Sequence, residues 1–135
     1  MSKSNAYEND VQLFTFHGVT PTGIGGTLYG ALHTADPGEG GDQETSEAAY
    51  GAYARVGVVR TASGWTVAGS QTQNAAEVLF PTCTSGSETD THFSLGVNAS
   101  GASKILYKGV LSSAIAVSVN IAPRFAVSSI TVLED

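Results

Sequence analysis

The sequence predicts an all-β protein, an antiparallel β-sandwich of jelly-roll or Ig-like type, with a short N-terminal helix or arm. Three observations predict it. About eight short runs of alternating apolar residues recur at roughly 8–12-residue spacing, with small polar turn residues between them. Helical spacing is confined to one stretch near the start of the chain. The 135 residues suit one domain with its own core, and because a lone hairpin has no independent stability, the strands must share that core. The expected organisation is an N-terminal helix or arm with a Gly-rich connector over residues 1–26 and a sandwich over residues 27–135.

In residues 5–16, NAYENDVQLFTF, Tyr7, Val11 and Phe14 fall at i, i+4 and i+7 and form one apolar stripe. Asn5 is the expected cap, with Glu8 three residues on as in a capping box, and His17-Gly18 ends the element. The alternation of Val11 and Leu13 also fits the start of a strand. Residues 18–26 form the flexible connector around Pro21.

Leu28 to His33 carries apolar groups on both faces, so the strand is expected to be covered on both. An acidic Gly-rich loop follows, and SEAAY (46–50) reads as one helical turn. Ala52 to Arg60 reads as a strand, and Thr61-Ala62-Ser63-Gly64 as a tight hairpin turn into Trp65–Ala68. Residues 69–74, GSQTQN, are polar. Ala76, Val78 and Phe80 alternate until Pro81 stops them, and TCTSGSETD reads as a loop. Phe93, Leu95 and Val97 mark the next strand, and Ile105, Tyr107 and Leu111 another. Ile115, Val117, Val119 and Ile121 give the cleanest alternation, and Val127 with Ile130–Val132 gives the last strand.

Charged residues make up only 13% of the chain and the net charge is −6. Binding to a nucleic-acid backbone needs clustered Lys and Arg. The six bases here are scattered, so nucleic acid is not expected as a partner. No apolar run reaches the ~18 residues needed to span a bilayer, and the start lacks a signal-peptide layout. Neither a membrane role nor export is therefore expected. A single cysteine, Cys83, excludes an internal disulfide and a Cys-based metal cluster, which points to folding in a cytoplasm.

The chemistry-bearing residues support no enzyme. His17, His33 and His92 have no ligand spacing. Cys83 has no base near it in sequence and reads as a small buried side chain. Nucleophile elbow, P-loop and dinucleotide fingerprint are all absent, and no cofactor is expected. The one electrostatic feature is the loop holding Asp36, Glu39, Asp42, Glu44 and Glu47, five of the twelve acids with no base among them. Asp36, Glu39, Asp42 and Glu44 are weak Ca²⁺ candidates, lacking EF-hand order. Otherwise, mutual repulsion should keep the loop extended, solvated or facing a partner.

LHTADPGEGGDQETSEAAYGAYARVGVVRTASGWTV, together with the opening MSKSNAYEND and the later FPTCTSG, THFSLGV, SGASKILYKGVL and APRFAV, resembles a family of small virion structural proteins of tailed bacteriophages. Its members are often labelled tail-fibre or minor structural proteins. The connector before Thr27 is shorter than in the related pattern. The resemblance implies a structural β-protein without catalytic residues, located in the virion and assembled in the host bacterial cytoplasm. The role expected from it is capsid decoration, with the protein cementing the major capsid protein shell. The alternatives are a tail or tail-fibre component, or a host-surface carbohydrate-binding module using Tyr29, Tyr50, Tyr53, Trp65 and Tyr107. Expected partners are the major capsid protein or other virion proteins, with a homo-oligomer possible. The candidate contact residues are Tyr7, Val11 and Phe14 on the arm and Asp36, Glu39, Asp42, Glu44 and Glu47 on the loop.

Overall fold

A computed structural model describes residues 1–134. The architecture is sandwich-like and antiparallel, with one short helix. Ten strands are spread over three sheets: β1 (Ser2–Lys3), β2 (Thr27–His33), β3 (Val56–Val59), β4 (Trp65–Ala68), β5 (Gln71–Asn74), β6 (Val78–Leu79), β7 (Glu88–Gly96), β8 (Ile105–Val117), β9 (Arg124–Phe125) and β10 (Thr131–Leu133). The largest sheet has the order β1-β8-β7-β2-β3; a second has β10-β5-β4, and β6 pairs with β9.

The core lies between these sheets. The five-stranded sheet contributes Leu32, Phe93, Leu95 and Val117, the three-stranded sheet Trp65 and Val132, and β6 Val78. A string of rings crosses it: Tyr50 meets Tyr53 edge-on at 5.4 Å, Tyr53 stacks on Phe80 at 6.2 Å, and Phe125 bridges Phe80 at 6.1 Å and Phe93 at 5.3 Å. Each such pair contributes about 0.5–1.5 kcal/mol beyond the area buried.

Helix α1 (Asn5–His17) begins one residue earlier than the expected cap allows. The cap is Ser4, whose buried Oγ accepts the Tyr7 N–H at 3.2 Å and donates to the Ile105 carbonyl. Ser4 wins over Asn5 because β1, paired with β8, delivers it in extended geometry beside the sheet. Gly18 closes the helix at φ 69°, donating back to Phe14, with Val19 donating to Leu13.

Several connections differ from the sequence reading. β3 and β4 form no hairpin, since β4 pairs with β5, and the Thr61–Gly64 turn carries the chain between sheets. The polar QTQN segment is the central strand of the three-stranded sheet. Its Asn74 is fully buried, donating to Ala76 and Ala126 carbonyls at 2.8 and 2.9 Å and accepting the Ile130 N–H at 2.9 Å. SEAAY is not helical: Ser46 ends a turn at φ 53°, Glu47 bridges His33, the Ala48 N–H bonds Leu32 of β2 at 2.8 Å, and Ala48 and Tyr50 are buried. Glu88–Asp90 belong to β7 rather than to a loop. The runs around Ile105–Leu111 and Ile115–Val117 form one long strand, while Val119 and Ile121 lie outside it in a turn where Asn120 has φ 72°. Val127 also lies outside the last strand.

Candidate interaction surface

β2 is covered on both faces, as its composition predicts. Leu28 and Leu32 face the core, and the opposite face, with Tyr29, Ala31 and His33, lies beneath the acidic loop. A chain of polar contacts fixes the loop there. His33 Nδ1 bonds the Thr45 carbonyl at 2.9 Å, which leaves Nε2 to accept from Ser94 Oγ at 2.8 Å. Gln43 Nε2 donates to Ser94 Oγ at 3.2 Å and to the Tyr29 carbonyl at 2.9 Å. His33, Gln43 and Ser94 are fully buried. Burial holds the imidazole below its ordinary pKa, and therefore neutral.

The loop is neither extended nor free of bases, because distant strands supply them. Lys108 of β8 lies almost buried beneath it, 3.1 Å from Asp36 and 2.9 Å from Glu39. Burial alone would lower the Lys108 ammonium, but Glu39 and Asp36 outweigh it and hold it above its ordinary pKa. Asp36 is held below the usual carboxylate range, first by the Gly38 N–H and then by Lys108. Glu47 receives a two-pronged grip from Arg55, at 2.7 and 2.8 Å, and the Tyr53 hydroxyl at 2.9 Å. Asp42 turns its carboxylate onto the Glu44 N–H at 2.9 Å, and Glu44 stays exposed. The weak Ca²⁺ candidates are thus not drawn together, and among the described residues no group of three or more His, Cys, Asp or Glu could hold a metal.

The two elements expected to make contacts, arm and loop, touch each other. Asn5 N–H bonds the Glu39 carbonyl at 3.0 Å, and Ser2 Oγ bonds its carboxylate at 3.4 Å. Tyr7 meets Tyr107 edge-on at 5.5 Å, Val11 is half-buried, and Asp10 pairs with Lys104. Phe14 is left 57% exposed, and with it Phe16 at 79% and Val19, of which only Val19 lies beyond the arm. Of the aromatic residues expected for a glycan platform, Tyr50 and Trp65 are buried and Tyr29, Tyr53 and Tyr107 half-buried. Cys83 is buried too.

This surface joins an N-terminal arm to a loop that is tied down by its own acids, and the sequences of both resemble a virion family. Residues 2–133 match the family described as podophage GP4 fiber I protein gp80. The chain belongs to that family. Membership extends over the arm, the acidic loop and every strand, so the Gp80 family pattern includes the surface described here. No curated protein matches the chain.

Sequence reasoning missed Lys108, Arg55 and Gln43, the residues that anchor the loop. The available signal was a lone lysine inside the otherwise uncharged strand β8, a position that requires a partner.

Proposed function

We propose that this chain is a non-catalytic building block of a podophage fibre, held in the virion by contacts with other virion proteins. The Gp80 match over residues 2–133 carries the reading. The geometry supports it. The loop carboxylates stabilise the fold by pairing with Lys108 and Arg55. The exposed end of α1 presents Phe14, Phe16 and Val19, apolar surface that a neighbouring protein would cover. The family description names a fibre, so a fibre role stands ahead of the capsid-decoration role expected from sequence. Disrupting the gene in the phage tests it. The expected outcome is filled heads with missing or incomplete fibres and lost adsorption. Intact fibres on fragile heads would overturn the reading in favour of shell cementing.

A further inference from the structure

A cleft of about 480 Å³ is bounded by both of the larger sheets. Its walls are mainly carbon: Leu28 and Leu95 come from the five-stranded sheet, Trp65 and Val132 from the three-stranded sheet. Clefts of this size, apolar with a few polar groups, are where small ligands bind.

Two polar groups on this lining lack partners. The Trp65 indole N–H is buried with no hydrogen-bond partner, although a buried tryptophan ordinarily finds one. Arg60, exposed directly after β3, sends one guanidinium bond to the Ile24 carbonyl at 3.3 Å. Every other base of the chain is paired with a carboxylate: Lys3 with Glu134, Arg55 with Glu47, Lys104 with Asp10, Lys108 with Asp36 and Glu39, and Arg124 with Glu77. Among the described residues Arg60 has no carboxylate partner, in a chain with twelve acids and six bases. Glu134 also lines the cleft, but Lys3 and the Tyr107 hydroxyl occupy its carboxylate.

Both unmatched groups are donors, so the atoms they lack are acceptors. A carboxylate accepts only, and its two oxygens fit the fork of an arginine. The apolar walls require carbon behind it. A peptide would bring N–H groups as well, and the side chains of Leu28, Trp65, Leu95 and Val132 offer them no acceptor.

We propose that this cleft binds an amphipathic monocarboxylate, with its alkyl or aryl body on Leu28, Trp65, Leu95 and Val132 and its carboxylate held by Arg60 at the mouth. The Trp65 N–H marks a second place for a ligand oxygen. Such a site is independent of the fibre reading.

Trp65 is the only tryptophan in the chain, so its emission reports on the cleft directly. Titrating the full chain with octanoate should change that emission saturably, with half-saturation at about 1 mM or below. Octanamide, the same chain length without the charge, should bind about tenfold more weakly. Arg60→Gln should weaken octanoate by a similar factor, leave octanamide unchanged and keep the wild-type circular dichroism. Arg124→Gln makes the same charge change outside the cleft and should bind octanoate as wild type does. No response of Trp65 at millimolar octanoate, equal binding of the amide, an unaffected Arg60→Gln, or equal weakening by Arg124→Gln would overturn the proposal.

Discussion

Arg55 holds Glu47 through two parallel bonds of 2.7 and 2.8 Å, with the Arg55 side chain only 2% exposed. The same guanidinium donates to the carbonyls of Asn98 at 3.1 Å and Gly101 at 2.7 Å, so one residue joins the acidic loop to the β7–β8 connection. Arg55→Ala leaves a carboxylate and two carbonyls without their partner. It should cost about 3–5 kcal/mol in urea unfolding. Arg55→Lys cannot reproduce the fork and should recover less than half of that loss.

Gln43 lies against Gly96, where an added Cβ would come 2.2 Å from Gln43 Cδ. Gly96→Ala should destabilise by about 1–3 kcal/mol through overpacking. Gln43→Ala should also destabilise, by removing the link to Ser94 and Tyr29. The double variant should lose clearly less than the sum of the two, because the clash disappears with the glutamine. Additive losses would show that the two positions do not share this space.

The helix cap gives a simple discrimination. Ser4→Ala should cost about 1–2 kcal/mol, since it removes the acceptor for Tyr7 N–H and the donor to Ile105. Asn5→Ala should change stability by a few tenths at most, since position 5 is exposed and inside the helix. Thermal melts of the two variants check this.

Asp90 of β7 is fully buried with both carboxylate oxygens unpartnered. Burial, and then the neighbouring Glu88 carboxylate, push its pKa up to about 7, against 3.8 for the free side chain. The folded state therefore holds a proton that the unfolded state releases, and stability falls as pH rises from about 4 through 7. Asp90→Asn mimics the protonated form and should flatten that slope, gaining stability over wild type above neutral pH. His33 acts within the same pH window with the opposite sign. Its folded pKa lies below 6.5, so its contribution is complete above that value and is lost as pH falls beneath it. Chemical denaturation across pH 4–9 should show stability rising with pH up to about 6.5 more steeply in the Asp90→Asn variant than in wild type, where the two slopes oppose each other.

Much of the fold was legible in the sequence because period-two patterning dictates which side of a strand is buried. β2, β7 and most of β8 follow from Leu28–His33, Phe93–Leu95 and Ile105–Val117. The helix follows from Tyr7, Val11 and Phe14. What was hidden has one physical cause, polar residues whose partners lie far along the chain. QTQN read only as a polar stretch because two of the three side-chain partners of Asn74, Ala126 and Ile130, lie far along the chain. The acidic loop looked solvated because Lys108 lies more than sixty residues beyond it. The aromatic candidates mostly fit core or rim positions in sequence, and the Tyr50 and Tyr53 hydroxyls bond Pro81 and Glu47. Phe16 and Val19 fell off the helical stripe that drew attention to Phe14.

The measurement that bears most directly on the central claim is localisation of this chain in intact virions by immunogold labelling and cryo-electron microscopy. The account predicts label confined to the fibres, at a copy number set by the fibres. Label spread over the head shell, or particles with normal fibres and no label, would contradict it.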